Sequence, residues 1–199
     1  MEFENNNIEI EENFTGEYVH ETSDGKVVIN FINGLKNGKT KFIDKNNIIL
    51  SEIEYRDDII NGFVRQYYPN GNILSIIEYR DNIPSGIFQS FFENGIKQFE
   101  AYYKDGVFDG KMTIYDDFGD KISETNYKNG EKHGKSISYY PRSQGGGMSE
   151  ISNFEDGLLQ GEKINFYPSG EILSITPYIK GKAQKYTKTY NKNGKELKI

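Results

Sequence analysis

The residues able to carry chemistry are few. His20 and His133 are the only imidazoles of the 199-residue chain, and cysteine is absent. The missing cysteines exclude disulfides, zinc–thiolate centres and a cysteine nucleophile. A catalytic imidazole needs a nucleophile on one side and an orienting acid on the other, and neither histidine recurs beside a fixed partner. His133 falls in a turn position where equivalent segments carry Asn61, Ser85, Asp109 and Gln160, so it reads as a polar turn residue. Asp105, Asp109 and Asp156 lack the dense alternation of oxygen ligands that a calcium loop requires, and read as turn aspartates. Gly145, Gly146 and Gly147 are not followed by the Lys-Ser/Thr of a phosphate-binding loop, and read as a flexible insertion. The expectation is a chain that is not an enzyme, with no catalytic residue, no metal site and no cofactor.

The elements that position these residues follow from an internal repeat. Gly38, Gly62, Gly86, Gly110 and Gly134 are each 24 residues apart, and Gly161 follows after 27. Phe31, Tyr55, Tyr79, Tyr103, Tyr127, Phe154 and Tyr178 keep the same rhythm, as do Tyr67, Phe91, Tyr115, Tyr139, Phe166 and Tyr190. The single lengthening falls at one place in every series and assigns three extra residues to the stretch around 143–147. Self-similarity at such a period marks a repeat array. The hydrophobic fraction of 35% fits a thin core rather than a globule, where roughly 45–50% is usual.

Each unit reads as a hairpin. Phe63–Tyr68 is rich in aromatic and β-branched residues and ends at Pro69-Asn70-Gly71; Asn72–Tyr79 runs back to a second turn at Asp81-Asn82. No apolar period of 3.6 residues survives, which argues against helices. About fifteen strands side by side would make a single-layer antiparallel ribbon about 70 Å long. Pro-Asn-Gly suits a three-residue loop, a type I turn with glycine in the left-handed position. Under that pairing Tyr67 shares a face with Ile73, Ile77 and Tyr79. The structural core is then expected to be Tyr55, Tyr79, Tyr103, Tyr127, Phe154 and Tyr178 together with Tyr67, Phe91, Tyr115, Tyr139 and Phe166. The opposite face would hold Tyr68, Phe92, Tyr140 and Tyr167 with Leu74 and Ile76, the candidate partner-binding residues. A two-residue loop at Asn-Gly would exchange the two faces.

Three stretches carry a resemblance: Tyr67-Tyr68-Pro69-Asn70-Gly71, Tyr103-Lys104-Asp105-Gly106 with Asp109-Gly110, and Tyr127-Lys128-Asn129-Gly130-Glu131-Lys132-His133-Gly134. With its Tyr-x-x-Gly-x-x-x-Gly spacing the chain resembles variant MORN-repeat proteins, from about Gly16 to Gly194, and is similar to the bacterial YwqK-type antitoxin family. It departs from the pattern at a 22-residue first spacing, at Asn47 and Lys185 where glycine is expected, and at the insertion. The resemblance implies an elongated β-hairpin scaffold that binds proteins and in some cases membrane lipids; the antitoxin likeness implies masking of a toxin.

Domain limits follow: an N-terminal cap strand over 1–15, tandem hairpins over 16–184, and a basic C-terminal half-repeat over 185–199. Charge is concentrated at the ends of a chain of net charge −6. Residues 1–24 hold eight acids and no Lys or Arg, and residues 180–199 hold seven lysines and one glutamate. A nucleic-acid binder would show a basic stripe along its working face, and none is present, so a protein partner is expected. The lysine-rich end makes an anionic membrane surface a weaker alternative, and a structural or adhesion scaffold another. Opposite charges at the two ends would also favour head-to-tail self-association. The start Met1-Glu2-Phe3-Glu4-Asn5 lacks the basic and apolar regions of a signal peptide, giving a cytoplasmic expectation that an upstream leader would change to export.

Overall fold

A computed structural model describes residues 10–197. Among these residues the chain forms one open antiparallel sheet of 20 strand segments, running up and down in sequence order. Four segments, Leu35–Lys36, Val107–Phe108, Leu158–Leu159 and Lys182–Ala183, are two-residue stubs continued by the next strand. Counted with their continuations they leave sixteen strands, against the fifteen or so expected. No α-helix occurs among the described residues; a single 3₁₀ turn, Arg142–Gln144, occupies the insertion.

One unit shows why these residues fold this way. The strand Ile73–Arg80 returns to a two-residue turn at Asp81-Asn82, and Ile83–Phe91 goes out again. Both turn residues have positive φ, 49° and 65°. That is the mirror-image turn whose twist matches the strands, and Asp and Asn tolerate its left-handed backbone. The same geometry recurs at Asn33-Gly34, Asp57-Asp58, Asp105-Gly106, Asn129-Gly130, Asp156-Gly157 and Lys180-Gly181. Successive turns are tied together: the Asn82 N–H donates to the Ile60 carbonyl (2.9 Å), and Gly106 to Pro84 and Gly130 to Phe108 repeat the bond. At the other end, the Tyr68 N–H donates to the Asn72 carbonyl and the Gly71 N–H to the Tyr68 carbonyl, with Gly71 at φ 86°. This is the expected three-residue loop.

Two irregularities set which side chains share a face. In each outgoing strand three residues oppose one. Ile60 pairs with Tyr55 and Val64 with Ile53, so Asn61-Gly62-Phe63 bulges opposite Glu54. Gly62 sits at φ 123°, the reason a glycine recurs there, and Glu54 reaches the bulge to accept the Phe63 N–H (3.0 Å). Nearer the loop, Tyr67 pairs with Ile73 but Gln66 pairs with Ser75, which inserts Leu74 as an extra residue.

The second bulge corrects the expected faces. Val64 pairs with Ile77, and Arg65 with Ile76. Tyr67 therefore lies with Arg65 and Ile76, whereas Tyr79 and Ile77 lie on the other side with Val64. The two aromatic series expected on one core face occupy opposite faces, and Ile76 leaves the Tyr68 set. Burial is also shallower than expected. The buried apolar residues are Ile29, Phe31 and Ala101, and Tyr79, Tyr103 and Tyr127 are only half-buried. A sheet one layer thick has nothing above its side chains except their own neighbours.

At the ends, residues 1–9 of the expected cap strand lie outside the described residues. Residues 10–15 form a turn, with the Phe14 N–H donating to the Glu11 carbonyl (2.9 Å), and the first strand is Gly16–Thr22. In the last unit Lys185 stands where the bulge glycine is expected, and the strand is interrupted there until Lys188–Tyr190.

Candidate binding face

The returning strands carry one aromatic row, Tyr55, Tyr79, Tyr103, Tyr127, Phe154 and Tyr178. Its direct cross-strand partners are Ile60, Pro84, Phe108, Lys132, Leu159 and Ala183. In the middle of the sheet the pairs merge into a continuous ladder of rings. Tyr103 stacks on Phe108 with centroids 4.5 Å apart, Phe108 reaches Tyr127 at 5.8 Å, and Phe88 meets Tyr103 at 6.1 Å and Phe99 at 4.9 Å. Such offset and tilted pairs stabilise by about 0.5–1.5 kcal/mol each beyond the area they cover. All five rings are half-buried.

The hydroxyls of this row are free. Among the described residues no group hydrogen-bonds to the hydroxyl of Tyr55, Tyr79, Tyr103, Tyr127 or Tyr178. Burial, and after it the nearby Tyr79, raises the Tyr103 phenol above its ordinary range. Every other tyrosine row uses its hydroxyls internally in at least part of its length. On the opposite face Tyr67 donates to Glu52 (3.1 Å) and Tyr139 to Glu124 (2.6 Å). Glu124 also accepts from Lys121 (2.9 Å) and Lys111 (3.3 Å). The Tyr139 bond, followed by Lys121, lowers the Glu124 carboxyl to about 2; burial and then Glu124 raise Tyr139 to about 12. These closed sets satisfy Tyr67 and Tyr139; Tyr115, between them, has no such bond among the described residues.

The candidate partner-binding residues have internal work. Tyr68, Tyr140 and Tyr167 each donate to a carbonyl of the next unit, of Phe91, Phe166 and Tyr190, at 2.7–2.9 Å. They are half-buried struts at the loop end, and Phe92 holds the same position without a hydroxyl. Leu74 is the inserted bulge residue, and Ile76 lies beside Arg65 on the Tyr67 face. Of the expected core residues, Tyr55, Tyr79, Tyr103, Tyr127, Phe154 and Tyr178 form the ladder face. Tyr67, Phe91, Tyr115, Tyr139 and Phe166 line the opposite face. Phe88, Phe99 and Phe108 were not expected in the ladder because they do not repeat: Val64, Ser75 and Pro84 hold the equivalent places in the preceding unit. Their signal is the density of aromatics between Phe88 and Phe108.

The residues singled out for chemistry are dispersed. His133 lies in the bulge of its strand rather than in a turn, with its Nδ1 buried, without a hydrogen-bond partner and 3.7 Å from Asp156 Oδ1. Asp105 is a turn residue at φ 50°, and Asp109 accepts the Asn129 N–H (3.2 Å). No cluster of three or more metal-ligating side chains occurs among the described residues. Nor is any helix among them long and apolar enough to cross a membrane. The insertion is a clasp: Arg142 makes a two-pronged ion pair with Asp120 (2.7 and 2.9 Å) and lies over the Phe118 ring.

Four stretches of the chain, 61–81, 84–105, 108–129 and 159–180, match the family described as MORN repeat variant. Each begins beside an outgoing-strand bulge and ends at the first residue of the next two-residue turn, so the matched stretch follows the structural unit. No curated protein matches the chain.

Proposed function

We propose that the chain is a non-catalytic repeat scaffold that binds a protein partner on the ladder face, centred on Tyr103 and Phe108. The observation that carries this reading is the contrast in hydroxyl use. Tyr67, Tyr139, Tyr68, Tyr140 and Tyr167 spend their hydroxyls inside the sheet, while the Tyr79 row presents half-open rings with unpaired donors. A contiguous aromatic patch marks an interaction surface, and tyrosine is enriched where binding energy concentrates.

Site-specific photo-crosslinking tests this. A crosslinker at position 103 should give a discrete protein adduct in cells, and one at position 115 on the opposite face should not. Equal adducts from both positions, or none from 103, would remove the reading. A narrower form, an immunity protein that masks a basic toxin, is supported by the net charge of −6 and by the antitoxin resemblance. Co-expression with the product of the neighbouring gene decides it. Absence of both rescue and complex discards the toxin and leaves the docking face standing.

A further inference from the structure

We infer that the ladder face takes a proline-rich segment of its partner in the polyproline II conformation, one turn of that helix per 24-residue unit. The inference rests on the docking reading above. Equivalent tyrosines lie two strands apart, about 9.6 Å. A polyproline II helix advances about 9.3 Å per turn of three residues, so every third side chain returns to the same face at the pitch of the repeat. An extended β-strand covers a similar length in three residues, but it alternates sides and turns every second anchor away. An α-helix needs seven residues, about 10.5 Å, to bring a side chain back to the same line, and it drifts out of phase within a few units.

Electrostatics select the same occupant. The five ladder rings carry no charged group, and Lys36 over Tyr55 (5.4 Å) and Lys132 over Phe154 (5.1 Å) bound a neutral stretch between them. A charged segment laid there would lose water and gain no counter-charge. What the stretch does offer is a row of free phenol donors. A polyproline II backbone makes no internal hydrogen bonds and leaves its carbonyls open as acceptors, whereas a helical partner would have used them. Aromatic rows with a hydrogen-bond donor are the surfaces that dock such segments.

The test titrates the whole protein, with isotope-labelled tyrosine rings, against a synthetic peptide carrying proline at every third residue. A control peptide of the same composition has its prolines out of phase. The expected result is saturable shifts at Tyr79, Tyr103 and Tyr127 with the in-phase peptide and at least tenfold weaker binding of the control. Tyr103→Phe, which keeps the ring and removes the donor, should weaken the in-phase peptide about fivefold. Equal affinity for both peptides, no binding, or shifts confined to Tyr67 and Tyr139 would overturn the inference. A partner that still crosslinks at position 103 in any of these cases would show that the docking reading survives and only the class of segment is wrong.

Discussion

The hydroxyl of Tyr139 lies 2.6 Å from Oε2 of Glu124, across the antiparallel strands Lys121–Lys128 and Glu131–Tyr139. Lys121 and Lys111 complete the set around the carboxylate. Side-chain exposure of Glu124 is only 14%, so the bonds form in a partly desolvated place. A hydrogen bond to a charged group there stabilises by about 1.5–3 kcal/mol.

This arrangement predicts an acid-sensitive increment of stability. The folded-state carboxyl titrates at about 2, below its ordinary value of 4.5. A depressed carboxyl contributes stability that is complete above pH 4.5 and is lost as pH falls towards 2. After allowance for screening by solvent at the sheet surface, about 2 kcal/mol is expected. Glu124→Gln should therefore lower the urea midpoint at pH 7, with the gap to the parent closing between pH 4.5 and 2. A gap independent of pH would show that the loss is packing and not charge.

The bulge glycines predict a graded series. A Cβ at Gly86, at φ 119°, would collide with the Glu78 carboxylate beneath it. A Cβ at Gly134, at φ 77°, would meet nothing within 4 Å. Gly134→Ala should thus cost only the backbone strain, about 1 kcal/mol, and Gly86→Ala about 2–3 kcal/mol. Urea midpoints measured side by side check the order, and equal losses would mean that Glu78 swings aside.

These two bulges also mark the limit of what the sequence alone revealed. The period, the strand number and the three-residue loop at Pro69-Asn70-Gly71 were legible because turn residues report their own backbone. The division of Tyr67 and Tyr79 between faces was not. It depends on Leu74 being inserted without a turn residue to announce it, and one extra residue exchanges every side chain downstream. Gly62 gave a hint, since a glycine inside a strand signals a bulge. The ladder face was hidden for a second reason. Whether a tyrosine hydroxyl is spent on Glu52, on the Phe91 carbonyl or on nothing depends on neighbours 15 to 23 residues away. Residue type and spacing carry no trace of that.

The turn stack predicts a near-neutral substitution at a residue that looks indispensable. Asn82 sits at φ 65° and its side chain accepts the Ile60 N–H (2.8 Å), while its own N–H donates to the Ile60 carbonyl. Asn82→Gly loses the first bond, about 1 kcal/mol, and relieves the left-handed strain of a side chain by a similar amount. The net change in stability, read from urea unfolding, should be within about 0.5 kcal/mol. Asn82→Ala keeps the strain and loses the bond, and should cost about 1 kcal/mol. If both variants fall equally, the side-chain bond outweighs the backbone term.

The last prediction separates folding from binding on the ladder itself. Tyr103 stacks on Phe108 and Phe88 but keeps its hydroxyl free, so its ring and its oxygen have different work. Tyr103→Ala removes a half-buried ring held between two others and should cost about 2 kcal/mol, less than the 3–5 of a fully enclosed aromatic. Tyr103→Phe leaves the stack in place, buries no new polar group, and should change stability by less than 0.5 kcal/mol. Tyr139→Phe on the opposite face should behave in the reverse way, losing about 1.5–3 kcal/mol because its hydroxyl holds a carboxylate. Partner capture should follow the other order: weakened by Tyr103→Phe and unchanged by Tyr139→Phe at temperatures where both proteins remain folded. Melting curves and capture measured on the same preparations check both halves. A Tyr103→Phe protein that melts several degrees lower would show that its hydroxyl serves the sheet, and the ladder face would lose its distinction from the other.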